Sequence, residues 1–375
     1  MIQISTPSLG DEEWEAIRGP LMSGWLTQGP AVSEFERKFA ERHDVKHALA
    51  TTSCTTALHL MLAAAGIGPG DEVIVPSFTW VATANAVLYT GATPVLADVD
   101  PRTYNIDPQD VAARVTERTK AVIAVHLFGL CADIPGLRAA LPAHIDIFED
   151  AACAAGAKLG DAWAGGLGRA AAFSFHPRKS ITTGEGGMLT SNDSGLMETA
   201  EKLRNHGAEI SEEQRHQGPQ PYLLPDFNLL GFNYRMTDLQ GAVGVVQLAK
   251  LDAFIDERQK WADFYFEALD DIPWLTMPEQ PVNGRHAWQA FVARVDPAVD
   301  RNAVMAQLHD RGISTRPGTH AIHTLGYYRE RFGWLPADYP NSRDCQAHTM
   351  AIPLHNRMAS EAFDYIAETL HTVQV

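Results

Sequence analysis

The sequence predicts an α/β fold with a large domain on a mostly parallel sheet, residues 1–250, and a smaller C-terminal α/β domain, residues 251–375. Three observations lead to it. From residue 48 to about 193 short apolar runs alternate with helix-like segments, as in a sheet covered by helices. The runs are continuous rather than alternately polar and apolar, which indicates strands buried on both faces. A long helical stretch then leads into a second, shorter alternation.

Taken in order, Asp11 to Met22 has helical character and stops at Ser23-Gly24-Trp25-Leu26-Thr27-Gln28-Gly29-Pro30, too rich in turn formers to continue it. Strands are expected at Ala48–Thr52, Val73–Val75, Pro94–Ala97, Ala121–Val125, Ile145–Phe148, Ala171–Phe175 and Met188–Thr190. Helices are expected between them at Thr55–Ala65, Val81–Tyr89, Pro108–Val115 and Ser194–Arg204. Gln214 to Asn228, with three prolines, reads as a long loop. Asp238 to Leu269 has apolar residues near helical spacing and is expected to lead out of the first domain. Trp288–Val295, Asn302–Gly312, Ala351–Leu354 and Ser360–Thr372 then alternate strand and helix character.

Composition narrows the function. The chain has 375 residues, 45% of them hydrophobic and 20% charged, with a formal net charge of −16. That charge disfavours nonspecific nucleic-acid binding while leaving room for a local basic pocket. No apolar run approaches the roughly 20 residues of a membrane span, and the start lacks a secretory pattern, so the cytoplasm is expected. Cys54, Cys131, Cys153 and Cys345 form no CxxC pair, which argues against disulfides and structural zinc.

The chemistry centres on Phe173-Ser174-Phe175-His176-Pro177-Arg178-Lys179-Ser180-Ile181-Thr182-Thr183-Gly184-Glu185-Gly186-Gly187. It sets one lysine in a glycine-closed turn after an apolar strand. Such an amine, held away from water, can form a Schiff base with a carbonyl; the ordinary alternative is a surface lysine. Ser53-Cys54-Thr55 joins a strand to a helix and offers either an anion site or plain N-capping. Glu149-Asp150 places two acids at the end of a buried strand, where a carboxylate needs a cation: a protonated pyridine nitrogen, a helix N-terminus or a distant arginine. Trp80, after another strand, can stack on a ring or pack in the core, whereas Phe78 is expected in the core. Asn233-Tyr234-Arg235 carries an amide and a guanidinium suited to anions. His320 and His323 lack the acid or cysteine neighbours of a metal site, and no metal is expected.

Together and in order, these segments resemble the DegT/DnrJ-type family of pyridoxal-phosphate sugar aminotransferases, of fold type I. The likeness spans nearly the whole chain through Gly24-Trp25-Leu26-Thr27, the Ser-x-Thr turn, Pro69-Gly70-Asp71-Glu72-Val73, Glu149-Asp150-Ala151-Ala152, His176-Pro177-x-Lys179, Thr182-Thr183-Gly184-Glu185-Gly186-Gly187 and Asn233-Tyr234-Arg235-Met236. The resemblance implies that Lys179 is the Schiff-base lysine and that Asp150 faces the pyridine nitrogen of pyridoxal 5'-phosphate. It implies that Trp80 stacks on the ring, that Ser53, Cys54, Thr55 and Ser174 hold the phosphate, and that Cys153 meets the phenolic oxygen. Asn233 would reach the cofactor of a neighbouring subunit, hence a homodimer with shared active sites. Trp25, Thr27, Arg235, His320 and His323 are candidates for substrate contact.

Two positions depart from the family pattern. Glycine commonly stands where this chain has Cys54, whose side chain is therefore expected to point away from the phosphate. Histidine or glutamine is common at Cys153, and a thiol there is a weaker hydrogen-bond partner. The expected reaction passes an amino group from an amino acid, glutamate above all, to a nucleotide-linked ketosugar. A cyclitol aminotransferase, a sugar dehydratase of the same fold and a non-catalytic cofactor-binding regulator are the alternatives. Lys179 counts against the dehydratase, and no separate DNA- or protein-binding module supports the regulator.

Overall fold

The computed structural model describes residues 1–210, 222 and 224–375, so most of the loop expected over Gln214–Asn228 lies outside the described residues. Helices α1 (Asp11–Ser23) and α2 (Pro30–Arg42) precede strand β1 (His47–Thr51) and helix α3 (Cys54–Ala64). Next come β2 (Glu72–Pro76), α4 (Ala82–Tyr89), β3 (Thr93–Ala97), α5 (Pro108–Arg114), β4 (Thr119–Val125), α6 (Ile134–Ala140) and β5 (Asp146–Asp150). Two short strands, β6 (Lys158–Leu159) and β7 (Ala162–Trp163), lead to β8 (Ala170–Ser174), β9 (Gly187–Ser191) and α7 (Ser194–Arg204).

Seven of these strands make one sheet in the order β1-β9-β8-β5-β4-β2-β3. The pairs from β8 through β5, β4 and β2 to β3 are parallel, while β9 runs against both its neighbours. Every strand except β9 therefore ends at the same edge. The strand residues are buried with few exceptions, as the continuous apolar runs predict. Helix α2 lies in the stretch that the sequence reading left without an element. Its Pro30 occupies the first turn, and Val32, Phe35 and Phe39 are buried at helical spacing.

Helix α8 (Asp238–Ala268) begins at a capping box, in which the Thr237 hydroxyl accepts from Gln240 N at 3.3 Å and Gln240 Oε1 accepts from Thr237 N at 3.1 Å. The expected division at residue 250 falls inside this continuous helix. Beyond it lie β10 (Leu275–Thr276), β11 (Gly284–Arg285), β12 (Phe291–Val295), α9 (Arg301–Asp310), β13 (Arg316–Pro317), α10 (Gly326–Phe332), α11 (Pro340–His348), β14 (Thr349–Ile352) and α12 (Ser360–His371). Strands β10-β12-β14-β13 form a second, wholly antiparallel sheet. Its core holds Tyr265, Trp288, Phe291 and Phe363, each fully buried ring contributing about 1.5–3 kcal/mol. The chain start joins this part, since Ile2 N donates to Gly312 O at 2.7 Å and Ile2 O accepts from Ser314 N at 2.9 Å.

The two sheets meet where β2 ends. Ile322 N donates to Ser77 O at 2.7 Å, and Thr79 N donates to His320 O at 3.1 Å. Ser77 and Ser342 join their hydroxyls in the same seam. These bonds carry the segment from Arg316 to His323 across the edge of the main sheet and close a cavity there.

Candidate active site

The cavity encloses about 670 Å³ at the carboxyl ends of β2, β4, β5 and β8, where open α/β sheets collect ligands. Its walls include Trp80 after β2, Asp150 and Cys153 at the end of β5, Ser174 and Lys179 after β8, and the first turn of α3.

Lys179 sits in the connection between antiparallel neighbours, so residues 175–186 are an excursion pinned at both ends. Ser174 and Gly187 are register partners, Phe175 N donates to Gly186 O at 2.9 Å, and Thr183 N donates to Phe175 O at 3.0 Å. The Thr182 hydroxyl also donates to Phe175 O, at 2.7 Å. Lys179 is half-buried, and its Nζ donates to Cys153 Sγ at 3.2 Å. The amine is thereby aimed into the cavity by two strands that cannot slide apart without breaking the sheet.

On β5 consecutive residues face opposite sides of the sheet, which separates the two acids. Glu149 is fully buried and accepts from His126 Nε2 at 2.9 Å and from the amides of Gly165 and Gly168, each at 2.7 Å. Asp150 faces the cavity. Its Oδ2 accepts from the Thr83 hydroxyl at 2.8 Å and its Oδ1 from Ala152 N at 3.2 Å. Burial pushes its pKa up, against the lowering effect of these bonds and of Lys179 and His126. Among the described residues it has no ion-pair partner, so a cation in the cavity is what its charged form requires.

Ser53 caps α3, its hydroxyl accepting from Thr56 N at 3.2 Å. The capping reading holds, with the cap engaging Thr56 N, and Cys54 and Thr55 of the same first turn border the cavity, where a helix N-terminus suits an anion. Gly187 makes the close approach possible, because a Cβ there would lie 2.4 Å from the Ser53 carbonyl carbon. Cys54 borders the cavity and also packs against the apolar core under α3, and burial, with the Asp150 carboxylate adding to it, pushes its thiol pKa well up, so it stays neutral.

Trp80 is a cavity wall, more than half exposed, with its ring 5.8 Å from that of His320. Phe78 is wholly buried, as expected. Of the candidates for substrate contact, His320 lines the cavity; Trp25, Thr27, Arg235 and His323 lie elsewhere, as does Asn233, expected to reach a neighbouring subunit's cofactor. Trp25 donates from Nε1 to Gln28 O at 3.1 Å and covers Gly29 so closely that a Cβ there would sit 2.1 Å from the indole nitrogen. Thr27 is exposed. Arg235 donates to Asn205 Oδ1 at 2.6 Å, and Asn233 is exposed on a backbone bridge with Asn205. His323 is not a cavity residue: it is fully buried, stacked on Tyr339 with ring centres 5.0 Å apart. The short helical turn at Ile322–Thr324 directs it into the protein rather than toward the sheet edge.

The sequence reading missed several wall residues, namely Arg178, Gln289, Arg301 and Arg316. Arg178 was detectable as the neighbour of Lys179, and Arg316 by its place in Arg-Pro-Gly before the histidines. Gln289 and Arg301 carry no local signal. In a chain of net charge −16, three arginines around one cavity concentrate positive potential where an anionic ligand would enter.

A lysine amine and a buried, unpaired aspartate facing one cavity, beside a helix N-terminus and under an indole, define a pyridoxal-phosphate enzyme of fold type I. The residues fit that group: Asp150 lacks only a cation such as a pyridinium, and the first turn of α3 with Ser174 suits its phosphate. The chain belongs to the DegT/DnrJ/EryC1/StrS aminotransferase family, whose profile matches residues 7–371. It is 39% identical to the spore coat polysaccharide biosynthesis protein SpsC of Bacillus subtilis, over 98% of this chain and 96% of that one. It is 38% identical to GDP-perosamine synthase of Caulobacter vibrioides, over 100% of this chain and 98% of that one. Spr1654 of Streptococcus pneumoniae, solved in PMP and PLP forms, superposes with TM-scores of 0.93 and 0.92 at 27% and 26% identity, with 99% of this chain and 98% of that one covered in each case. The protein is a sugar aminotransferase of this family, and pyridoxal phosphate is its cofactor.

Proposed function

We propose that the enzyme moves an amino group from an amino acid, glutamate above all, to a ketosugar linked to a nucleotide, using Lys179 as the Schiff-base residue. The observation that carries this reading is the Lys179 amine, 3.2 Å from Cys153, in the same cavity as Asp150. Pyridoxal phosphate, when bound, supplies a ring that withdraws electrons from the carbon attached to nitrogen. Asp150 holds a proton on the ring nitrogen, and Trp80 covers one face of the ring. The hydroxyls of Thr55 and Ser174 with the amides of the α3 turn take the phosphate. Cys153 Sγ, already a partner of Lys179 Nζ, borders the phenolic oxygen. With cofactor and donor bound, the free Lys179 amine would hold and move the proton at the reacting carbon.

The cavity volume lies in the range of small-molecule sites, and the arginines on its wall favour an acceptor that carries a diphosphate. The relative named GDP-perosamine synthase supports a nucleotide-linked acceptor, and SpsC supports a place in polysaccharide biosynthesis. We take residues 1–250 as the cofactor-binding part and 251–375 as the part that closes over it. The exposed Asn233 supports a homodimer in which it reaches the partner's cofactor. Four free cysteines favour a reducing compartment, the cytoplasm, and no helix among the described residues is long and apolar enough to cross a membrane.

The test is a panel of nucleotide-linked 3-keto and 4-keto sugars incubated with glutamate and read by mass spectrometry. An amino sugar with matching 2-oxoglutarate is the expected product. Loss of water from the sugar would favour the dehydratase, preference for a keto-cyclitol the cyclitol enzyme, and no turnover on any acceptor would sink the reading.

A further inference from the structure

Trp288 is held at a φ of +44°, in the left-handed region where a bulky side chain is a genuine outlier. Such a turn persists only where its surroundings over-determine it, and here they do. Trp288 N donates to His286 Nδ1 at 2.8 Å, and Trp288 Nε1 donates to Gln259 Oε1 at 2.7 Å. Arg258, on α8 and almost wholly buried, donates from Nη1 to Trp288 O at 3.0 Å and to Gln289 O at 3.3 Å. A charge is thus carried into the interior, at a desolvation cost, to bind two consecutive carbonyls. Gly129, after β4, closes against the same turn: Ala287 N donates to Gly129 O at 2.9 Å, and a Cβ on Gly129 would lie 3.0 Å from Trp288 N.

What the turn delivers is Gln289. Buried on the cavity wall, it donates from Nε2 to Arg178 O at 2.8 Å, across 111 residues of chain. The peptide that joins Arg178 to Lys179 is therefore held on both sides, because Lys179 N donates to His176 O at 2.9 Å. A peptide unit is a rigid plane, so fixing its C=O and its N–H fixes the direction in which the Lys179 Cα projects its side chain. His176 lies in the lysine's own turn and moves with it, whereas Gln289 stands on a separate, over-determined turn. Gln247 and Gln240 of α8 hold the far limb of the lysine turn, at Thr182 N and Glu185 O. Gln289 does the same for the limb that carries the amine.

We propose that Gln289 is a positioning residue for the reaction: through Arg178 O it sets the aim of the Lys179 amine, and the strained turn at Trp288 is what presents it. This rests on the aminotransferase reading above, in which Lys179 is the Schiff-base residue.

The test compares the parent with Gln289→Met, which keeps the reach of the side chain but cannot donate. Cofactor-free protein is mixed with pyridoxal phosphate and quenched with borohydride at timed intervals, and the cofactor fixed on the Lys179 peptide is measured against the total bound. Gln289→Met should bind the cofactor yet fix it on Lys179 about 10–100-fold more slowly, since a misplacement of about 1 Å can cost as much as 10²-fold. With glutamate as the probe, the saturating single-turnover rate of the loaded variant should fall by a similar factor, at an unchanged half-saturating concentration. A merely structural role would lower the unfolding temperature and leave the trapping rate and the glutamate rate as in the parent, which overturns the proposal. A change confined to the half-saturating concentration overturns it too, since Gln289 would then be a donor contact. Should Gln289→Met not fold, Gln289→Ala, which leaves space instead of a misfit side chain, gives the same readings. If borohydride fixes no cofactor on Lys179 of the parent, the Schiff-base reading itself fails and the proposal with it; with the parent labelled there, the variant decides the role of Gln289 alone.

Discussion

Glu149 and Asp150 are neighbours on β5 with opposite employment: Glu149 is fully buried among His126, Gly165 and Gly168, and Asp150 is turned to the cavity. Substitution should therefore separate stability from catalysis. Asp150→Asn is expected to keep the fold and lose turnover by orders of magnitude. Glu149→Gln puts an amide against N–H donors and should cost about 1–3 kcal/mol in denaturant unfolding, with the cofactor absorption retained. Equal and normal stability in both variants, with activity lost only in Glu149→Gln, would reverse the assignment.

The raised pKa of Asp150 adds a pH dependence to the cofactor-free protein. Below the ordinary carboxyl value of 3.8 both folded and unfolded chains carry the proton and Asp150 has no effect. As pH rises through that value the unfolded chain releases its proton first, so the folded state loses stability until its own higher pKa is passed. Cofactor-free Asp150→Asn should accordingly unfold at a higher temperature than the parent at neutral pH, the gap shrinking toward acid. A gap of the opposite sign at pH 7 would show that Asp150 has a cationic partner without the cofactor.

Borohydride reduction of the yellow holoenzyme should fix the cofactor on a peptide containing Lys179, found by peptide mass mapping. Lys179→Ala should still bind cofactor non-covalently and lose at least about 10²–10⁴-fold in transamination, the usual contribution of a positioned proton carrier. Label on another lysine would refute the assignment.

Asn233→Ala should weaken cofactor binding without changing the lysine of its own subunit. Mixed with Lys179→Ala, it should give heterodimers in which one site carries both defects and the other neither, and activity should return. A merely local structural role on the bridge with Asn205 predicts at most a small stability loss and no rescue, since Thr237 already caps the following helix. Exchange of differently tagged subunits is verified by native mass spectrometry; if exchange occurs and activity stays absent, the shared-site reading is abandoned.

Gly187→Ala places a methyl against the backbone of Ser53. Neither strand β9 nor the capped turn of α3 has a flexible side chain to yield, so the variant should lose about 1–3 kcal/mol and bind cofactor more weakly. Parent-like affinity would mean that the α3 turn is not the phosphate site.

Much of the fold was legible because its signals are local. Helix α7 was expected at Ser194–Arg204 and lies there, and the strand cores fall where continuous apolar runs lie. The candidate lysine and aspartate were legible for the same reason: each follows a strand, and strand ends converge at one edge of a parallel sheet. Local pattern misled at Trp288, read as the start of a strand. Its φ is +44°, its amide donates to His286 Nδ1 at 2.8 Å, and β12 begins only at Phe291.

By itself the sequence determined the alternation of elements, the burial of the main sheet and the segments from which the site is drawn, because backbone preference and apolar periodicity act over a few residues. Tertiary structure alone decided which of two adjacent acids meets the cavity, that β9 runs against its neighbours, and that Arg316 comes to line the same cavity as Arg178 and Cys153. Those outcomes depend on the pleat phase of β5 relative to the glycine turns at Gly165 and Gly168, and on hydrogen bonds between Ser77 and Ile322 or Thr79 and His320. Partners more than two hundred residues apart leave no trace in local spacing, since apolar burial is non-directional and their meeting is settled by how two sheets pack.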